Sequence, residues 1–242
     1  MPILKPFRRN FRAVRSGPDR PNAGHSSWAY IAEPEYAEAP EHYLRSFLIL
    51  QADLQKLFEF VEPSDLCLKA YSFRIHDLLM RICIEVEANL KAILRENIYT
   101  PQVDRFRQPI YNMTIYRKIN RTHHLSSYGV KLPIWGGSGR IMRPFASWDA
   151  NATLLWYRAY NESKQDRMAA FKMANFESLI DPMAGLLVII TAQFKDQEFS
   201  SGSTFLALAG SKREGFESVI GSLFRINPET DLRPANFEGA TG

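Results

Sequence analysis

Between Pro63 and Pro101 the chain holds neither proline nor glycine. Within this stretch Ile75, Leu78, Leu79, Ile82, Val86, Leu90, Ile93 and Leu94 recur at spacings that share one helical face. The pattern predicts a single helix over Ser72 to Asn97, a rod of roughly 39 Å at ~1.5 Å per residue. A rod of that length must bury its stripe against other helices. Glu41 to Val61 supplies one, with Tyr43, Phe47, Leu50, Leu54, Leu57 and Val61 on a common face and Pro63 as its stop. Helical pattern returns near Trp148, where Ala152, Leu155, Trp156 and Tyr160 form a stripe continued by Phe171, Ala174 and Leu179. Asp181-Pro182 has the form of an N-cap followed by proline at the first helical position, opening an apolar helix over Met183 to Phe194. The fold class expected is mainly α: an up-and-down bundle of four to five helices with an irregular loop or small β insertion.

The insertion is residues 100–149. It carries Pro101, Pro109, Pro133 and Pro144, with Gly129, Gly136, Gly137 and Gly139, and β-like runs such as Ile110 to Ile115. Three regions follow from these shifts: a basic, proline-rich arm over 1–40, one helical domain over 41–226, and a C-terminal tail over 227–242. Trp28 and Tyr30 are the residues by which the arm is expected to touch the body. Thr204 to Ala209 and Phe216 to Ile226 are further apolar runs.

Charge is concentrated at one end. Lys5, Arg8, Arg9, Arg12, Arg15 and Arg20 against Asp19 give residues 1–20 a charge of +5, so the rest of a chain of net +4 sums to −1. Such an arm suits phosphate-rich partners, serves as a solvating tail or, being rich in arginine and poor in acids, acts as a targeting peptide. A hydrophobic share of 45% and a charged share of 23% support a folded core and exclude wholesale disorder. Two cysteines, Cys67 and Cys83, exclude a disulfide framework and a cysteine-only zinc site. The longest apolar run, Met183 to Ala192, is about half of a membrane span, and no apolar core follows the N-terminal charges as in a secretory signal. A cytoplasmic protein without membrane contact is expected.

Polar chemistry gathers between two apolar stripes, in Trp156-Tyr157-Arg158-Ala159-Tyr160-Asn161-Glu162-Ser163-Lys164-Gln165-Asp166-Arg167. Arg158, Lys164 and Arg167 are donors suited to phosphate. Asn161 and Gln165 are neutral hydrogen-bonding groups, and Glu162 and Asp166 can pair with the cations. On a continuous helix Arg158, Asn161 and Gln165 share a face. The same string also suits a junction between two helices closed by caps and ion pairs.

The string Tyr160-Asn161-x-x-Lys164-x-Asp166-Arg167, set after a helix pair at 41–61 and 72–97 and before the apolar segment Ala184-Gly185-Leu186-Leu187, resembles the HEPN superfamily. That superfamily comprises all-helical domains, many of them metal-independent ribonucleases of defence and toxin systems. The resemblance covers roughly residues 41–195, interrupted by the insertion. It implies a ribonuclease motif of an arginine, four to six residues and a histidine. In this chain Arg158 is followed by six residues and then Gln165. Histidine shuttles protons because its pKa lies near neutrality, whereas glutamine does not titrate there. The resemblance therefore implies a degenerate site, in which Arg158 and Gln165 hold the catalytic positions and Asn161, Lys164 and Arg167 retain phosphate contacts. It further implies RNA or a protein as partner, a homodimer as a common assembly, and no cofactor or metal.

Other candidates are weaker. Lys118 and Arg121 lie in a basic run ending at His123-His124, with Tyr111, Tyr116 and Tyr128 nearby in sequence, a composition suited to single-stranded RNA. His76 and His124 are the residues that could stand in for the missing acid/base. No His-x-x-His or His-Glu-x-x-His pattern offers a metal site. Glu85 and Glu87 flank Val86 and point to different faces, so they form no carboxylate pair; one of them is expected to pair with Arg158, Lys164 or Arg167. Gly136-Gly137-Ser138-Gly139-Arg140 lacks the lysine of a phosphate-binding loop and reads as a turn. Three functions stay open: an RNA-binding or interaction module, an active ribonuclease with a borrowed acid/base, and a structural or assembly subunit.

Overall fold

Helix α2 spans Phe73–Glu96 without interruption, as the stripe requires. Ser72 caps it from extended backbone, its hydroxyl accepting the Ile75 amide at 3.2 Å. The computed structural model describes residues 8–11, 36–97, 99–137, 139–194, 217–218 and 223–228. Among these, α1 spans Pro40–Leu57 and α5 spans Leu155–Gln165. α7 spans Phe176–Phe194. α2 packs on α1, α5 and α7, and α7 also packs on α1 and α5. The chain is mainly helical.

Two boundaries and the facing of one residue differ from expectation. α1 stops at Leu57 rather than Val61, because the Glu59 and Phe60 amides bond three residues back, to the Lys56 and Leu57 carbonyls at 3.2 and 3.0 Å. α7 begins about two turns before Pro182. Asn175 starts it, accepting the Ser178 amide at 3.0 Å, and Pro182 lies inside the helix. Its ring forgoes only the bond that Ser178 would have accepted. On α5, Leu155 points outward while Trp156, Ala159, Tyr160 and Ser163 face in.

α7 is long and apolar enough to cross a membrane by length and composition. In this fold it is the core, with Leu186, Leu187, Val188, Ile189 and Ile190 all fully enclosed. Gly185 lets the insertion approach it: a Cβ there would lie 3.4 Å from the Phe145 ring and from Pro144.

The insertion is ordered by several short elements. Met113–Tyr116 is a helical turn, α3, rather than part of a strand, because Asn112 caps it through the Ile115 amide at 3.0 Å. Asn120–His123 forms α4. Tyr128–Lys131 is β1 and Ile141–Met142 is β2, an antiparallel pair with Val130 opposite Met142. Glu217–Ser218, β3, and Arg225–Pro228, β4, complete a four-stranded sheet of order β2-β1-β4-β3. β4 ends at Pro228, two residues into the stretch 227–242 set apart as a tail. Trp135 stacks on Phe176 at 6.1 Å, and the Trp156 indole donates to the Pro144 carbonyl at 2.9 Å. These contacts fasten the insertion to α5 and α7.

The arm is not all solvating charge. Residues 8–11 lie against the ends of α2 and α7, and Arg9 is fully buried. Its Nε meets Glu96 Oε1 at 2.7 Å, its Nη1 donates to Gln193 Oε1 at 3.1 Å, and its Nη2 donates to the Glu38 carbonyl. The Phe11 amide donates to the Ala192 carbonyl at 3.0 Å. Trp28, Tyr30 and the run Thr204 to Ala209 lie outside the described residues.

Candidate functional site

The motif helix presents two faces with different chemistry. On the outer face Arg158, Glu162 and Gln165 are exposed. Arg158 Nε lies 3.7 Å from Glu162 Oε1, an exposed i,i+4 pair of little energetic weight. Gln165 is the last helical residue. Asp166 then caps α6, Arg167–Ala170, accepting the Ala169 amide at 3.0 Å. The Arg167 guanidinium sits 5.6 Å from the centroid of the Phe73 ring. Phe73 is 67% exposed, so ring and cation form a platform open to water. Tyr71 and Phe171 extend it, with ring centroids 5.7 Å apart and Phe171 4.8 Å from Phe73.

The inner face turns toward α2. Tyr157 donates its hydroxyl to Glu87 Oε1 at 2.9 Å, and Asn161 bonds to the same tyrosine. Lys164 Nζ donates to the Tyr160 hydroxyl at 3.2 Å and lies 5.1 Å from that ring's centroid. Burial first, then the Glu87 carboxylate, pushes the Tyr157 phenol well above its ordinary range. Burial also raises Tyr160, although Lys164 pulls it back. The Tyr160 hydroxyl, in turn, raises the Lys164 ammonium. Tyr157, Tyr160 and Lys164 therefore keep their protons at neutrality and serve as hydrogen-bonding groups.

Glu85 and Glu87 do diverge, as their spacing requires. Glu85 bonds Asn89 at 3.2 Å and reaches Ser46 of α1. Burial raises its pKa, and these two hydrogen bonds lower it in part. The partner found for Glu87 is the Tyr157 hydroxyl rather than one of the motif's cations.

The remaining candidates are dispersed. His76 is half-buried with its ring 6.0 Å from Phe171, behind the platform, and its Nε2 meets no hydrogen-bond partner among the described residues. His123 is buried rather than solvated. Its Nε2 bonds the Arg9 carbonyl at 2.8 Å and its Nδ1 bonds Thr122 Oγ1 at 2.8 Å, which commits it to holding the arm. His124 stands in left-handed backbone, φ 49°, at the end of α4, which packs on α7. Arg121 is exposed on α4, and Lys118 lies 5.8 Å from the Tyr99 centroid. The structure thus brings together Arg158 with Gln165 on one ridge and Asn161 with Lys164 on the flank beside it, next to Tyr157 and Tyr160. Lys118, Arg121 and His124 belong to the insertion. Arg140 anchors the glycine-rich turn, 3.3 Å from Glu177 and 3.8 Å from Asp181.

Sequence reasoning missed the row Glu87, Lys91 and Arg95, one residue per turn on α2 beside the motif helix. The i,i+4,i+8 spacing was its available signal.

No family model matches this chain, and neither the curated proteins nor the solved structures include a significant match to it.

Proposed function

We propose that this chain is a HEPN-like helical protein with a degenerate site, acting as an RNA-binding module rather than a ribonuclease. In this reading α1, α2, α5 and α7 make the up-and-down bundle of such a domain. One observation carries it: Arg167 over the exposed Phe73 ring, two residues after Gln165, is a preformed cation–aromatic surface beside a motif whose proton shuttle is absent. A nucleobase stacks on such a ring and a phosphate takes the guanidinium, and neither needs a titrating group. The open outer face of α5 also favours binding over turnover, since catalysis gains from a water-excluded site.

The test is fluorescence anisotropy with a labelled single-stranded RNA across a salt series. Arg167→Ala and Phe73→Ala should each weaken binding about tenfold or more, and Arg167→Ala should lower the salt slope by about one charge. Absence of RNA binding at low salt overturns the reading.

A second reading has its own observation. Leu155 is 72% exposed and Met168 is 86% exposed, one at each end of the motif segment. Apolar side chains at both ends of a cationic ridge also suit a protein partner or a second copy of the chain. Light scattering separates the two: a dimer broken by Leu155→Ser and Met168→Ser, without change in RNA affinity, favours the interaction module.

A further inference from the structure

Beside α2, on the side that receives α1, lies a cavity of about 340 Å³, within the size range of small-molecule sites. Its floor includes Ile84, Ala88 and Ala92, one apolar stripe of α2, and Tyr43 of α1 lines it as well. Glu87 stands at one end. Toward the other are Lys91 and Arg95, a like-charge i,i+4 pair, the arrangement that normally destabilises a helix. Both rest on one ring: Lys91 Nζ is 5.4 Å and the Arg95 guanidinium 5.6 Å from the Tyr111 centroid. Tyr111 also bonds Arg95 and stacks on Tyr116 at 6.4 Å, so the two cations are held side by side. Neither has a carboxylate partner within 4.0 Å among the described residues. Three acids share the lining: Glu38 is exposed, and the other two have partners of their own. Glu96 is neutralised by buried Arg9 and takes the Glu38 amide at 3.0 Å. Glu87 accepts the Tyr157 hydroxyl at 2.9 Å.

We infer that this cavity binds a phosphorylated nucleoside, its phosphate between Lys91 and Arg95 and its hydroxyl or amino donors toward Glu87. Two cations held side by side on one ring, without a carboxylate within 4.0 Å among the described residues, repel each other, and a phosphate dianion between them relieves that repulsion. The carboxylate has a second oxygen and further lone pairs to accept from a sugar hydroxyl or exocyclic amine. Glu87 and Arg95 are ~12 Å apart along the helix axis, a length that a mononucleotide spans and a bare phosphate does not. The apolar stripe between them suits the base. The same unit can arrive as a free mononucleotide or as the 5′-phosphorylated end of an RNA strand.

This assignment does not rest on the motif ridge of α5, and the experiment keeps the two apart. Calorimetric titration of the full chain uses adenosine 5′-monophosphate, inorganic phosphate, and a short RNA with and without a 5′-phosphate. Saturable binding of the monophosphate is expected, weakened about tenfold or more by Lys91→Ala or Arg95→Ala. Glu87→Gln should weaken it while leaving inorganic phosphate unaffected. Arg167→Ala and Phe73→Ala, ~27 Å away along α2, should leave monophosphate binding unchanged even where they abolish binding of the RNA lacking a 5′-phosphate. Tighter binding of the 5′-phosphorylated RNA than of the monophosphate identifies the strand end as the source, and the reverse order identifies the free nucleotide. Lys91 and Arg95 lie at the surface, so circular dichroism should find both variants folded. No saturation by the monophosphate at millimolar concentration, or binding indifferent to both substitutions, overturns the site. Equal affinity for inorganic phosphate and the monophosphate overturns the nucleoside half.

Discussion

Arg9 Nε lies 2.7 Å from Glu96 Oε1, and the two side chains are 0% and 9% exposed. A pair this deep is costly to break from one side, because the survivor remains buried and uncompensated. Its neighbours extend the network, as Gln193 bonds Arg9 and also donates to Asn89 Oδ1 at 3.0 Å. Arg9→Ala should cost about 3–5 kcal/mol in urea unfolding. Arg9→Met combined with Glu96→Gln should recover part of that loss, since neither charge then remains. Equal stability of Arg9→Ala and the parent chain would show that residues 8–11 are not held.

Ile82 is fully enclosed at the middle of α2, facing the helices that flank it. Ile82→Ala should therefore destabilise by about 2–5 kcal/mol without loss of helical circular dichroism in the folded state. A change below ~0.5 kcal/mol would contradict core packing at this face.

Legibility followed the range of the forces involved. The 3.6-residue period of α2 is a local property, and its ends fell within one residue of expectation. Pro182 misled because proline is also tolerated inside a helix when only one bond is lost, and Asn175 had already supplied a start. Sequence could not pair Val130 with Ile226, since nothing in either run specifies a partner so distant. A sum of charges over the basic arm carries no information about which cation is buried, and Arg9 is. For the motif, spacing separated Arg158 and Gln165 from the stripe but could not show Asn161 bonding Tyr157, or that the partner of Glu87 is a tyrosine.

Stability should also report on Asp181. Burial raises its pKa from 3.8 to about 6, with Arg140 pulling it down and Glu177 pushing it up. The folded chain thus keeps a proton that the unfolded chain releases near pH ~4. Stability attributable to this group falls as pH rises through ~4 to ~6, by at most about 3 kcal/mol. Glu177 acts in the opposite sense. The Lys69 ammonium bonded to it at 2.6 Å, then Arg140, lower its pKa, so its contribution is lost as pH falls through that lowered value. Asp181→Asn should flatten the thermal midpoint between pH 4 and 6 and leave the acid limb set by Glu177. An unchanged profile would place Asp181 in a solvated setting.

Gln165→His should introduce a group titrating near neutrality on the same ridge as Arg158. If the ridge retains HEPN-type geometry, the variant should cleave RNA without metal, with a bell-shaped pH dependence absent from the parent. Pairing it with Glu162→Gln frees Arg158 and should raise the rate further. Failure of both variants, with RNA affinity intact, would mean that the motif's spacing is retained without its reactive geometry.

The pairing of Tyr128 with Pro228 also sets a schedule for the chain's own synthesis. β1 leaves the ribosome ~100 residues ahead of β4, an interval of about 5–20 s at ordinary elongation rates. Until β4 arrives, one side of β1 is an open strand edge, the kind of surface on which other nascent chains pair and aggregate. The short span of β2, only Ile141–Met142, leaves its own edge small, so the hazard is concentrated on the side that waits. Ribosome-bound chains halted before residue 225 should therefore be the aggregation-prone species, and release of the C-terminal strand the step that removes the risk.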